Sequence, residues 1–156
     1  MGAPAGERRP RIVFASAAAL TFALDQVTKA LATASLEHAV SRPLLGTPIA
    51  LTLTHNVGSA FGLLLPAWLL LVAGGVVCAA ILWYVMAGQG FGRQPWLAVA
   101  LGLVFGGSAG NLLDRIRTGG VTDFIDFRIW PVFNVADIAI TAGCALLAIR
   151  LLKAHG

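Results

Sequence analysis

The chain has 156 residues, 58% of them hydrophobic and 12% charged, with a mean hydropathy of +0.83 and a net charge of +4. Soluble domains carry roughly 25% charged residues, so a water-soluble core is excluded and a single integral membrane domain is predicted. The basic balance does not point to nucleic acid, because Lys and Arg form no patch interleaved with aromatics and sit instead at the ends of apolar runs.

A bilayer core of about 30 Å needs roughly 20 apolar helical residues. The first predicted span runs from Ile12 to about Leu36. It contains "DQVTK", in which Asp25 and Lys29 are one helical turn apart on a shared face. Ionisable groups inside a span mark a functional site by default; the alternative is an ion pair that merely neutralises itself. "GERRPR", the apolar run and "ATAS" at 32–35 also resemble a cleavable secretory signal, but Asp25 and Lys29 interrupt that run, so the helix is expected to be retained.

The connection 37–65 contains "IALTLTHNVG", where Ile49, Leu51 and Leu53 alternate with Ala50, Thr52 and Thr54. This period of two predicts a short strand. Unpaired strand edges are not tolerated in lipid, so a small sheet at the outer interface is expected. "HNVGSAFG" at 55–62 offers Asn56, which can donate to and accept from a peptide backbone, and Gly58, which permits positive φ or close approach. An ordinary turn is the competing reading. His55 has no second His or Cys at ligand spacing, so no metal is expected.

The second span is predicted at 66–86 and the third at 95–111. In the third, Gly102, Gly106 and Gly110 recur every four residues, a strip suited to close helix packing in lipid. "GGSAGN" lacks the GK[ST] ending and preceding strand of a phosphate loop. "NLLDR" places Asn111, Asp114 and Arg115 at the expected membrane exit, as interfacial salt-bridging groups or part of a site. The fourth span is predicted at 135–152. Cys78 and Cys144 lie deep in apolar runs and are expected to be small packing residues.

Basic residues near span ends set orientation. Arg8, Arg9 and Arg11, then Arg93, then Arg150 and Lys153 share one side of a four-span topology. The other two connections balance Arg42 with Glu37, and Arg115, Arg117 and Arg128 with Asp114, Asp123 and Asp126. Both termini are therefore expected in the cytoplasm, and the segment "VTDFIDFRIWPVFNVAD" at 121–137 near the outer face.

That segment concentrates acids in an apolar context. Asn134 and Asp137 fit a helix-capping pair, which leaves Asp123 and Asp126 unexplained. Two carboxylates sharing a low-dielectric site hold one proton between them. One can then activate water while the other polarises a carbonyl, cleaving an amide without metal, cofactor or covalent intermediate. No Ser has a His base at a suitable position. An aspartyl hydrolase at the outer face is the leading reading. A proton-coupled carrier with intramembrane carboxylates and a non-enzymatic adaptor are the alternatives. Spacing does not choose between Asp123 and Asp126, because strand and helix periods group them differently.

In order, "DQVTK" at 25–29, "NVGSAFG" at 56–62, "GNLLDR" at 110–115, "VTDF" at 121–124 and "FNVAD" at 133–137 resemble the pattern of the lipoprotein signal peptidase (signal peptidase II) family. Ser59 stands where other members carry various small residues. The resemblance covers essentially the whole chain. It implies an all-α membrane protein, a four-transmembrane-helix bundle with a small extracytoplasmic β element between helices 1 and 2. It further implies an aspartyl endopeptidase of the bacterial inner membrane, without cofactor or metal, cutting diacylglyceryl-modified prolipoproteins before the lipidated cysteine. Its catalytic pair maps onto Asp123 and Asp137, with Asp126 outside it. Asn56, Asn111, Arg115 and Asn134 would support the dyad or hold substrate, together with Gly58 and Asp114. Asp25 and Lys29 would lie near the lipid-modified end. Membrane lipid and the family's cyclic peptide inhibitors are the other implied partners.

Overall fold

A computed structural model of the chain describes residues 5–44, 46–60, 63–88 and 95–154. Arg93, Phe61, Gly62 and the side chain of Arg8, all used above, lie outside the described residues. Among the described residues, four helices are long and apolar enough to cross a membrane: α1 (Ala5–Ser35), α2 (Ala67–Ala87), α3 (Pro95–Thr118) and α4 (Val135–Ala154). Between α1 and α2 come β1 (Ser41–Pro43), β2 (Ala50–Asn56), β3 (Ser59–Ala60) and β4 (Leu63–Leu64), and β5 (Val121–Asp126) precedes α4.

Helix α3 is the centre of the bundle and packs against α1, α4 and α2. The glycine strip explains the α1–α3 seam. A Cβ on Gly102 would lie 2.8 Å from the Phe14 carbonyl, and one on Gly106 would lie 2.5 Å from the Ala18 carbonyl. One on Gly110 would collide with the Asp25 carboxylate. Gly107 and Gly143 permit the same approach to α4, against the carbonyls of Ala136 and Ala100. Only small residues let helix backbones come this close. Phe14, Ile81, Val85, Ala98 and Val104 fill the adjoining core, with the Phe14 and Phe105 rings tilted at 5.6 Å. Helix α2 buries Ile81 and Val85 and packs Tyr84 against the same core, while Trp68, Val72, Val76, Trp83 and Met86 face outward as a lipid-facing helix requires.

Helices α2 and α4 nearly match their expected limits, but α1 begins at Ala5 rather than Ile12, and α3 does not stop at Asn111. It continues to Thr118 and ends where Gly119 adopts φ 79°, its N–H bonded to the Arg115 carbonyl. Asn111 and Asp114 are buried inside the bundle, where groups on α1, α4 and β5 satisfy their polar atoms.

The predicted strand is β2, with two departures. A register irregularity between Leu51 and Thr54 breaks the alternation, so Ala50 and Leu53 turn inward. The three-stranded antiparallel sheet has the order β1-β2-β5, so its third strand comes from the α3–α4 connection. Ala32, Leu53 and Phe124 clamp this sheet onto α1. Both cysteines are free; Cys78 is half-buried, but Cys144 is exposed on the outer surface of α4 and packs no core.

Candidate active site

Strand geometry separates the acids of β5. Asp123 is buried at 2% exposure, while Asp126, three residues on, lies on the opposite face. There Asp126 accepts from Thr52 Oγ1 at 2.8 Å and from the Arg128 N–H at 2.7 Å, an Asx turn that starts the next loop. Asp126→Asn keeps the shape and the hydroxyl bond, so cleavage by that variant is expected to stay within about threefold of wild type.

The loop folds back immediately. The Phe124 and Ile125 N–H groups donate to the Phe133 carbonyl at 3.0 and 2.8 Å, and the Phe127 and Phe133 rings meet edge-on at 5.0 Å. This return sets the start of α4 beside Asp123.

Asn134 is the hub, with no exposed surface. Its Nδ2 donates to Asp123 Oδ1 at 2.6 Å, while its Oδ1 accepts from the Asp137 N–H at 3.0 Å. Asp137 Oδ2 accepts from the Asn134 N–H at 3.2 Å, which completes a reciprocal helix cap. Asp137 Oδ1 stays free of the cap and accepts from Asn111 Nδ2 at 2.9 Å. The cap takes one oxygen of Asp137 and the Asn111 bond the other. Asp123 Oδ2 accepts from Asn56 Nδ2 at 3.2 Å. Asn56 Oδ1 in turn accepts from the Gly58 N–H at 3.3 Å. Gly58 is needed for close approach: a Cβ there would lie 2.6 Å from the Leu65 carbonyl.

Beneath the two acids lies a second cluster. Lys29 donates to Asp25 at 2.8 Å, Asp114 at 2.9 Å and Asn111 Oδ1 at 2.8 Å. Asp25 also accepts from the Ala136 N–H at 3.0 Å, an acid at the positive end of α4. Asp114 accepts from the Thr122 N–H at 3.2 Å, tying α3 to β5. Gln26 joins the two carboxylates, donating to Asp25 at 3.2 Å and Asp114 at 3.1 Å. Its place inside "DQVTK", next to Asp25, was the only signal for it. Arg115 is half-buried, donates to the Asn111 carbonyl at 3.3 Å, and is near enough for its charge to act on Asp137, Asp123 and Asp114.

Burial, followed by the negative charge of Asp137, pushes the Asp123 carboxyl up to about 7; hydrogen bonds from Asn56 and Asn134 and the charge of Lys29 oppose this. Asp137 also lines an apolar groove of ≈ 810 Å³, walled by Trp130, Pro131 and Phe133 of the loop and Ile138 and Thr141 of α4. Among the described residues, no group of three or more His, Cys, Asp or Glu is placed to hold a metal ion.

Residues 17–153 match the family model described as signal peptidase (SPase) II. The chain belongs to the signal peptidase II family. A lipoprotein signal peptidase of Moorella thermoacetica is 40% identical over 141 residues, covering 89% of this chain and 92% of the relative. One from Pelotomaculum thermopropionicum is 44% identical over 141 residues, covering 86% and 88%. A solved bacterial membrane enzyme superposes with a TM-score of 0.76 at 30% identity, over 88% of this chain and 85% of that one. A second, also 30% identical, gives 0.74 over 88% and 90%. Membership makes the chain a multi-pass bacterial membrane peptidase that removes signal peptides from prolipoproteins.

Proposed function

We propose that this signal peptidase II works as an aspartyl endopeptidase, with Asp123 and Asp137 as its dyad, cutting diacylglyceryl-modified precursors before the lipidated cysteine. The observation that carries the reading is Asn134. One side chain with its own backbone binds both acids, Asp123 through Nδ2 at 2.6 Å and Asp137 through Oδ1 and the N–H at 3.0 and 3.2 Å. Two carboxylates from separate elements, β5 and α4, are thereby held by one residue.

The pair shares a proton at neutral pH. The ionised member takes a proton from water as its oxygen attacks the scissile carbonyl, and the protonated member donates to that carbonyl oxygen. Collapse of the tetrahedral species breaks the C–N bond, and the proton taken from water goes to the departing amine. The base and acid roles belong to the pair as a unit. The apolar groove that Asp137 helps to line suits the apolar signal segment or acyl chains, which stay in lipid while the peptide bond meets the dyad.

The orientation rests on where the basic ends gather. Arg11 donates to the Met86 carbonyl at 3.4 Å, and the Arg150 guanidinium stands 5.0 Å over the Trp96 ring. The start of α1, the end of α2, the start of α3 and the end of α4 therefore share the cationic side, which retention in the cytoplasm explains. The sheet and dyad then lie at the extracytoplasmic face of the inner membrane.

The experiment is cleavage of matched lipidated and unlipidated precursors by purified enzyme. Only the lipidated one is expected to be cut efficiently; equal rates would contradict the specificity. A pH profile tests the dyad. The Asp123 carboxyl stays protonated up to about 7, so kcat/KM should fall as pH rises above that point and the shared proton leaves. Asn56→Leu removes a bond that favours ionised Asp123, so the alkaline limb should move to higher pH. An unmoved or lowered limb would show that Asp123 does not control it.

A further inference from the structure

An Asn side chain can present either its oxygen or its NH2 to a carboxylate, and only the NH2 supports an ionised acid. Around the two acids that choice ends at Lys29. Lys29 is 4% exposed; its ammonium has three donors and no acceptor, and faces three acceptors: Asp25 Oδ2, Asp114 Oδ2 and Asn111 Oδ1. The last bond can be received only by the Asn111 oxygen. The Asn111 NH2 must therefore turn the other way, where it donates to Asp137. The same oxygen also accepts from Asn134 Nδ2 at 3.2 Å. That commits the Asn134 NH2 toward Asp123 and its oxygen toward the Asp137 N–H. Donation runs in one direction from Lys29 to both acids.

We infer that Lys29 is a positioning residue that touches no substrate: by donating to Asn111 Oδ1, it fixes the amides of Asn111 and Asn134 with their N–H groups toward the two acids. The inference rests on the dyad reading above. Its other bonds anchor the ammonium to the segments that carry the acids. Asp25 holds the Ala136 N–H at the start of α4, Asp114 holds the Thr122 N–H in β5, and Gln26 bridges the two carboxylates. A buried ammonium with its donors committed has none left for a lipid headgroup or substrate backbone. The lipid-proximal role implied by the resemblance gives way here to an internal one.

The test compares Lys29 variants in an Asp114→Asn background, which offsets the lost positive charge, each read against Asp114→Asn alone. Lys29→Met removes the donor and Lys29→Gln keeps an N–H without the charge. On a lipidated precursor, Lys29→Met is expected to lower kcat by roughly ten- to a hundredfold, the size of a lost charge-assisted hydrogen bond. KM should stay within about threefold, because binding is untouched, and Lys29→Gln should recover most of the rate. Equal losses in Met and Gln, or none in Met, would overturn the inference. If the Met variant does not fold, Asn111→Asp decides. It keeps an oxygen for Lys29 but offers Asp137 no N–H, so a retained rate overturns the inference and a lost kcat at unchanged melting temperature supports it. Failure of the dyad itself would appear separately, as activity in Asp123→Asn or Asp137→Asn.

Discussion

Asp123→Asn and Asp137→Asn are each expected to lower kcat on a lipidated precursor by at least roughly 10⁴-fold, the scale seen when one member of a catalytic unit is removed. Asn is isosteric with Asp but neither ionises nor passes a proton, so the dyad cannot hold one shared proton in either variant. The fold should survive both changes. Asp123 accepts from two amides, which an Asn oxygen can still accept in part, and Asp137 accepts a cap bond that Asn also makes well. Extraction and melting temperature in detergent should therefore stay close to wild type while cleavage is lost. Loss of both folding and activity would point instead to a structural role.

The second large effect concerns stability. Gly106→Ala places a Cβ 2.5 Å from the Ala18 carbonyl and 2.8 Å from the Thr21 Cβ. Backbone cannot yield as a flexible side chain can, so α1 and α3 must separate. Overpacking of this kind costs about 1–3 kcal/mol, and the separation also strains the seam that leads to Asp25 and Lys29. Gly75→Ala is the matched control, since a Cβ there meets nothing within 4 Å. The melting temperature in detergent should drop by several degrees for Gly106→Ala and stay level for Gly75→Ala. Equal behaviour would mean that the glycine strip does not set the α1–α3 distance.

The parts legible in the sequence were those governed by composition and local period. Hydropathy located four spans because lipid imposes a length and an apolar composition together. The four-residue glycine spacing announced a tight seam, and α1 fills it. Asn134 and Asp137 announced a cap, which forms.

What was not legible depends on pairing between distant segments. Nothing local in Val121–Asp126 says that it completes a sheet begun before α2. Without that strand assignment, Asp123 and Asp126 were interchangeable; with it they face opposite ways. The end of α3 was misplaced because polar residues at 111, 114 and 115 resemble a helix meeting water, whereas Asn111 and Asp114 meet partners on α1, β5 and α4. Gln26 passed unnoticed because a neutral amide beside an ion pair carries no signal until both of its carboxylate partners are known. The cap uses one oxygen of Asp137 and leaves the other to Asn111, a division that the sequence does not display.

The most direct test of the central claim is the cleavage rate of one diacylglyceryl-modified precursor by the double variant Asp123→Asn with Asp137→Asn, set against each single variant. Two acids sharing one proton act as a unit, so the double variant should be no slower than the slower single one. Losses that multiply would show two carboxylates acting independently, and would contradict a shared dyad.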